Sequence, residues 1–208
     1  RTLMNDTYVT QFGSLSLRLR YDLGSTSEKT YRYSDDDYDR FWSARAYSLN
    51  WARINASISL DSLAQNDYKP PAIVMSTAAT PVNENAPMYF GWKSENASDQ
   101  FYVYMHFAEL QVLEKNQTRS FNIIVNGDLF YADLVPKYRS TNTVFSKKAT
   151  SGEKIMLLFQ RTHKSTLPPI LNAIEVYKIK NFSQSETEQG DGMSCKHKTF
   201  TDANDLFL

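Results

Sequence analysis

Apolar and polar residues alternate along much of the chain, and this two-residue period is typical of β-strands. Residues 14–21, SLSLRLRY, alternate strictly, so we expect Leu15, Leu17 and Leu19 on one face of a half-buried strand. Residues 53–60, RINASISL, repeat the pattern. No segment keeps a helical period beyond about ten residues, so the chain is expected to be built from strands.

Residues 101–110, FYVYMHFAEL, form the most aromatic of these runs. We expect the odd-numbered side chains to lie between two sheets: Phe101, Val103, Met105 and Phe107. The even-numbered face carries rings with polar tips: Tyr102, Tyr104 and His106. These rings either form an open platform for a sugar or peptide or lie under loops. We expect loop cover, with His106 as a hydrogen-bonded structural histidine.

Turn residues separate the runs. Residues 120–131, SFNIIVNGDLFY, predict a hairpin, because Asn126 and Gly127 both tolerate positive φ. Residues 153–160 are apolar on both faces and predict a central strand, and residues 170–180 predict another alternating strand. The prolines are expected to fall between strands. Many short strands with such turns predict an all-β fold, a β-sandwich or jelly roll of two antiparallel sheets.

Length and charge narrow the functional classes. The 208 residues suit one domain at residues 1–182, followed by a polar, glycine-containing stretch at 183–208 that is expected to be flexible. Lys plus Arg equals Asp plus Glu at 23 each, which argues against a nucleic-acid or membrane-surface partner. No apolar run approaches the roughly 18 residues that span a bilayer, so no membrane segment is expected in this chain. Cys195 is the single cysteine and forms no internal disulfide.

Five N-x-[ST] sequons point to the cell exterior. They are Asn5, Asn55, Asn96, Asn116 and Asn181. About two or three would arise by chance in a chain of this composition. The excess favours N-glycosylation of an extracellular surface over coincidence, and two of the sequons lie in polar stretches between apolar runs.

The sequence holds no motif for a catalytic nucleophile or a phosphate-binding loop. His106, His163 and His197 are too widely separated for metal-ligand spacing, so we expect no catalytic residue, metal or cofactor. Glu109 and Glu175 lie on or beside apolar strands, where carboxylates are unusual. Each either pairs with an Arg or a backbone N–H, which is favoured, or serves acid–base chemistry on a carbohydrate.

Residues 31–47 place carboxylates among aromatic residues. Three of the carboxylates have the spacing that begins an EF-hand: Asp35, Asp37 and Asp39. The likeness ends there, because Arg40 stands where the calcium loop needs Gly and Ala46 where it needs Glu. A polar turn, with carboxylates that cap backbone N–H groups or pair with Arg40 and Arg45, is therefore favoured over a calcium site.

The same segment is the best candidate for a contact surface. Rings stack on sugar faces and carboxylates accept hydrogen bonds from hydroxyls, although such residues more often anchor a loop to a sheet. The candidate ligand-binding residues are Tyr31, Tyr33, Asp35, Asp37, Tyr38 and Trp42.

Five strings, in order along the chain, resemble one family. They are YSDDDYDRFW (33–42), PPAIVMSTAATPVN (70–83), FYVYMHFAELQ (101–111), RSFNIIVNG (119–127) and STLPPILNAIEVY (165–177). Together they resemble the malectin-like domain of plant leucine-rich-repeat receptor-like kinases, in particular the second of its two tandem halves. The resemblance covers roughly residues 5–182 and consists of strand and turn motifs, so the sugar-contacting residues of animal malectin are not transferred.

The resemblance implies a non-catalytic ectodomain module at the plasma membrane, outside the cell. Its expected partners are a glycan, a secreted peptide or a co-receptor ectodomain. A structural spacer without its own ligand is the alternative, and a fragment of a carbohydrate-active enzyme is the least favoured interpretation. The strings of the first half, the repeats, a membrane span and a kinase are not found in this sequence, so we expect any cleft between two halves to be incomplete here.

Overall fold

A computed structural model describes residues 13–26, 30–34, 36–44, 50–56 and 66–181, with the backbone of 206–207. The first strands in chain order are β1 (Gly13–Asp22), β2 (Thr30–Arg32), β3 (Phe41–Ala44) and β4 (Trp51–Asn55). Next come α1 (Ala72–Met75), β5 (Thr77–Pro81), β6 (Met88–Lys93), β7 (Gln100–Phe107), β8 (Phe121–Val125) and β9 (Asp128–Leu134). The last are β10 (Asn142–Phe145), β11 (Thr150–Ser151), β12 (Lys154–Arg161), β13 (Ala173–Asn181) and β14 (Leu206–Phe207).

The strands form a sandwich of two main sheets, which confirms the predicted fold class. The larger sheet has the order β10-β7-β13-β1-β3-β2, with β11 also paired to β7, and the smaller has the order β14-β6-β12-β8-β9. The pairing is antiparallel except between β1 and β3, which run parallel with Tyr21 opposite Ser43. A separate two-stranded sheet joins β4 to β5. The predicted strand at 53–60 is β4 over part of its length, and residues 57–60 lie outside the described part.

The core lies between the two sheets and combines aliphatic side chains with a group of large aromatic rings. The odd-numbered face of β7 is buried in it, as the alternation predicts: Phe101, Val103, Met105 and Phe107. Phe107 of the larger sheet has its ring centroid 5.6 Å from that of Phe121 and 6.1 Å from that of Phe159, both in the smaller sheet. Edge-to-face and tilted ring pairs of this kind add to the hydrophobic stabilisation.

The even-numbered face of β7 is buried as well, in a second cluster outside the sandwich. Tyr102, Tyr104 and His106 are each at most 2% exposed. Tyr68, in the loop before α1, packs with its ring centroid 5.6 Å from Tyr104, and Phe145 of the neighbouring strand stacks at 5.7 Å. The predicted loop cover is confirmed.

One residue interrupts the alternation of β1. Leu17 is opposite Tyr177 of β13, but Leu19 is opposite Val176, so Arg18 is extra and forms a β-bulge. The bulge turns Leu19 into the core between the sheets and leaves Leu17 42% exposed on the outer face. The expectation that Leu15, Leu17 and Leu19 share one face was therefore wrong, because alternation assumes an unbroken register.

The hairpin and the central strand are confirmed. Asn126 (φ 50°) and Gly127 (φ 94°) connect β8 to β9, and β12 lies between β6 and β8. Pro81 is the last residue of β5, so not every proline lies between strands. Residues 183–205 and 208 lie outside the described part, and β14 pairs antiparallel with β6. The boundary at residue 182 and the flexibility of the tail stay predictions.

Candidate functional site

Buried charged side chains meet on the outer face of the larger sheet, where Glu175 of β13 is at their centre. Its Oε2 accepts hydrogen bonds from Arg20 Nε and the Tyr177 hydroxyl, both at 2.6 Å. Its Oε1 accepts from Arg40 Nη1 at 3.1 Å and faces His106 Nε2 at 3.2 Å. Four donors therefore engage both carboxylate oxygens, which is what a buried charge requires.

Contacts within this cluster determine the protonation states of Glu175 and His106. Burial alone would raise the pKa of Glu175, but the hydrogen bond from His106 and the charges of Arg20 and Arg40 outweigh it and hold this pKa well below its usual range. Burial and the two arginines lower the pKa of His106. A neutral His106 then donates from Nε2 to the Glu175 carboxylate, and its Nδ1 accepts from the Thr143 hydroxyl at 2.8 Å.

Arg40 links this cluster to residues 30–44, which we call the edge segment. Besides Glu175, it contacts Asp36, with Nε 2.9 Å from Oδ2. Asp36 accepts from the Trp42 indole N–H at 2.8 Å and from the backbone N–H of Tyr38 at 2.9 Å. The predicted polar turn, capped by a carboxylate and paired with Arg40, is confirmed, while Arg45 lies outside the described residues.

The six candidate ligand-binding residues fall into different environments. Tyr31 is 40% exposed and stacks on half-buried Tyr33, with ring centroids 5.9 Å apart. The hydroxyl of Tyr33 points inward, 3.4 Å from Asp22 Oδ2. Trp42 is fully buried, with the Arg40 guanidinium 5.1 Å from its ring centroid. The structure therefore places Trp42 among the anchoring residues and not on an accessible surface.

Two acidic residues of the edge segment each form an ion pair with a different cation. Asp37 is exposed and 2.6 Å from Lys69 Nζ, and Asp39 forms an exposed pair with Arg32. Tyr38 is half-buried and donates to the Asp67 carbonyl at 3.2 Å. Asp35 lies outside the described residues. Over the described ranges, no three His, Cys, Asp or Glu side chains come together as metal ligands.

Phe41 is an exposed aromatic residue that was not among the candidates. It is 56% exposed, opposite Arg32 in the β2–β3 pairing, with the Arg32 guanidinium 6.0 Å from its ring centroid. Alternation in the Phe41-Trp42 pair implies that one ring points outward, but the sequence does not indicate which. The burial of Trp42 decides it.

Glu109, the other unusual carboxylate, is also fully engaged. Its Oε2 is 2.7 Å from Arg119 Nε, and its Oε1 accepts from the backbone N–H groups of Leu110 and Gln111 at 3.0 Å each. The expected pairing with Arg and backbone N–H groups is confirmed for Glu109, and pairing with Arg is confirmed for Glu175.

Three sequon asparagines are exposed: Asn55, Asn96 and Asn116. Asn5 and the side chain of Asn181 lie outside the described part. Glycosylation at these five positions stays a prediction.

Comparison with known protein families shows which family this β-sandwich belongs to. The family model of the malectin-like domain matches residues 1–179. The chain belongs to the malectin-like family. This malectin-like domain is 41% identical over 199 residues to a probable LRR receptor-like serine/threonine-protein kinase of Arabidopsis thaliana, covering 95% of the chain and 22% of the relative. It is 40% identical over 192 residues to the LRR receptor-like serine/threonine-protein kinase IOS1 of the same plant, covering 91% and 21%.

Solved structures share the fold of the malectin-like domain. The ANX1 ectodomain from Arabidopsis thaliana superposes with a TM-score of 0.64 at 20% identity, covering 81% of this chain and 50% of that one. A chain in the crystal structure of the plant peptide RALF23 in complex with FER and LLG2 gives 0.62 at 16% identity, covering 86% and 54%. The malectin-like domain thus spans about half of these solved chains and about a fifth of the curated relatives. Within the described residues, no helix has the length and apolar character needed to cross a membrane.

Proposed function

We propose that the chain is a non-catalytic, extracellular malectin-like module of a receptor-like kinase and that the edge segment contacts its ligand. The observation that carries the proposal is the pair of exposed rings, Tyr31 and Phe41, on a hairpin held down by buried charges. Exposed aromatic residues on a rigid support are typical of recognition surfaces.

The geometry of the edge favours an elongated ligand. In the order of the larger sheet, β2 is the last strand. Tyr31 pairs with Trp42 and Arg32 pairs with Phe41, so the two exposed rings project from opposite faces of the hairpin. A partner that wraps the edge contacts both rings, together with the exposed Asp37–Lys69 pair.

A secreted peptide or a co-receptor ectodomain is the ligand class that we place first. The supporting observation is that one structural neighbour contains the peptide RALF23 in complex with FER and LLG2. A glycan is the second candidate, because Tyr31 stacked on Tyr33 offers an aromatic surface and the same segment carries an exposed carboxylate, Asp37. The spacer interpretation draws support from buried Trp42.

The state of the two unusual carboxylates supports a non-catalytic role. Glu175 is fully buried, ionised and hydrogen bonded at both oxygens, and Glu109 is buried against Arg119 and backbone N–H groups. A general acid needs a raised pKa and access to the substrate, and the pKa of Glu175 is lowered instead. This arrangement disfavours the enzyme interpretation.

Binding of wild-type protein and variants to arrays of secreted plant peptides and of plant glycans tests the proposal. We expect Tyr31→Ala/Phe41→Ala to weaken the binding of any captured peptide or glycan by about tenfold or more, because buried aromatic anchors contribute at least about 1 kcal/mol each. Tyr131→Ala, which removes a ring of similar exposure (42%) from β9 of the other sheet, should bind like wild type.

The two arrays also separate the alternatives. Peptide binding that is lost in the double variant supports the first candidate, and glycan binding lost in the same way supports the second. Binding that survives the double variant, with the thermal melt unchanged, would show that the contact surface lies elsewhere. Absence of binding to both arrays would favour the spacer interpretation.

A further inference from the structure

The outer edge of β6 carries a short strand from a distant part of the same chain. Leu206 is opposite Trp92, and Phe207 is opposite Gly91, in antiparallel register. These residues follow the stretch 183–205, which has no strand-like alternation in sequence until the terminal Leu-Phe-Leu. The tail also contains the apolar residues Met193 and Phe200, and Leu206 and Phe207 are its residues that are described as paired with the sheet.

The edge that they meet is preformed. On its other side β6 pairs with β12 along its whole length, from Lys93 opposite Lys154 to Met88 opposite Phe159. Its inward side chains are buried in the core, with Trp92 at a ring-centroid distance of 5.5 Å from Phe101. A strand fixed by its neighbour and by the core loses little entropy when another backbone pairs with it.

Gly91 gives this edge a chemical preference. A Cβ there would lie 2.7 Å from Met156 Sδ and 2.6 Å from the Ile155 carbonyl oxygen, so the thioether occupies the place of a side chain. Thioethers are deformable and make favourable contacts with aromatic rings. Because Gly91 carries no side chain and Met156 is its partner on β12, an aromatic residue of an added strand opposite Gly91 can reach the thioether.

We propose that the outer edge of β6 is a strand-addition site for an extended apolar peptide with an aromatic residue opposite Gly91, and that Leu206–Phe207 occupies it in this chain. The occupant is the tail of the same chain, and an added peptide with the tail's sequence serves as the probe of the site. The described pairing covers two residues, and each further residue that a peptide pairs with β6, toward Tyr89 and Met88, adds to its main-chain hydrogen bonds. The site is separate from the edge segment, which belongs to the other sheet.

Competition between tail and peptide in the full chain tests the site. The probe is a fluorescein-labelled peptide with the sequence of residues 202–208, DANDLFL, followed by fluorescence polarisation. Leu206→Pro/Phe207→Pro removes the backbone N–H groups of the resident strand and empties the edge. We expect this variant to bind the probe about tenfold more tightly than wild type, because a tethered segment competes at an effective concentration on the order of millimolar.

Three controls make the result specific. Asp202→Pro, outside the paired residues, should bind the probe like wild type. A probe with Gly in place of Phe should bind the emptied chain more weakly. Tyr31→Ala/Phe41→Ala should leave probe binding unchanged, which distinguishes this site from the contact surface proposed above. Hydrogen exchange across residues 88–93 should rise in the emptied chain and fall again with probe.

Two results would overturn the proposal. One is equal probe affinity for wild type and Leu206→Pro/Phe207→Pro. The other is no probe binding by the emptied chain while its thermal melt matches wild type, which would show that the edge accepts no peptide.

Discussion

Asp22, at the end of β1, is a buried carboxylate whose described partners are uncharged. It accepts from the Thr77 hydroxyl at 3.1 Å and from the Gly24 N–H at 3.2 Å, and the Tyr33 hydroxyl lies 3.4 Å away. Burial raises the pKa of Asp22 to about 6 from an ordinary 3.8, although these hydrogen bonds oppose the shift. The pKa of Glu175, which contacts two arginines and His106, is lowered instead. The partners of a buried carboxylate therefore decide whether its pKa is raised or lowered.

The raised pKa predicts how Asp22 affects stability. The folded state holds its proton more tightly than the unfolded state, so the contribution of Asp22 is most favourable below about pH 4 and is lost as the pH rises to about 6. We expect Asp22→Asn to remove a pH dependence of about 2 kcal/mol in the free energy of unfolding between pH 4 and pH 7. Urea unfolding at both pH values measures it. An unchanged difference between the two pH values would contradict the assignment.

At the scale of elements, the buried charges fasten the edge segment to the sheet. Arg20 and Glu175 belong to strands β1 and β13, whereas Arg40 comes from the segment itself and also donates to the Tyr68 carbonyl at 3.2 Å. The β2–β3 hairpin, which has only four residues in its longer strand, is thereby held by side chains as well as by its parallel pairing with β1.

Removing the charge of Glu175 should weaken the attachment of the edge segment to the sheet. Glu175→Gln leaves two buried guanidinium groups without their shared carboxylate, so we expect the free energy of unfolding to fall by about 3–5 kcal/mol. Hydrogen exchange of residues 30–44 should increase as well, because Arg40 loses its bond to the sheet. The control is Asp39→Asn, which breaks the exposed Arg32–Asp39 pair and should change nothing measurable. Equal effects of the two substitutions would refute the fastening role.

For the whole molecule, the two sheets close on a shared core in which large rings from both sheets are in contact. Phe107 is fully buried and contacts rings of both β8 and β12. We expect Phe107→Ala to lower the free energy of unfolding by about 3–5 kcal/mol through lost burial and the cavity left behind. Val112→Ala, at a side chain that is 76% exposed, should leave the thermal melt unchanged. A small effect of Phe107→Ala would mean that the sheets do not depend on this contact.

The elements that the sequence predicted well are those whose pattern is local. The two faces of β7, the Asn126-Gly127 turn and the central position of β12 follow from alternation, positive φ and two-sided apolar character. The bulge at Arg18 was missed because an inserted residue leaves the sequence looking alternate while the register shifts by one. The order of strands and the parallel β1–β3 pair are likewise properties of pairing between distant segments.

The sequence likewise predicted some features of the candidate site and missed others. The sequence indicated that residues 31–47 combine rings with carboxylates and that a turn there is capped through Arg40. It did not indicate that Arg40 reaches Glu175, which lies 135 residues further along the chain. Nor did it separate Trp42, which the network buries, from Phe41, which the same hairpin exposes.

By itself, the sequence determined which residues alternate, where the chain turns and that an all-β sandwich results, because side-chain direction in a strand depends on position parity alone. The tertiary structure decided where β1 is bulged, which ring of the Phe41-Trp42 pair is exposed and which charges meet. Those outcomes depend on contacts between segments far apart in the chain, whose desolvation and pairing energies exist only after the sheets have closed.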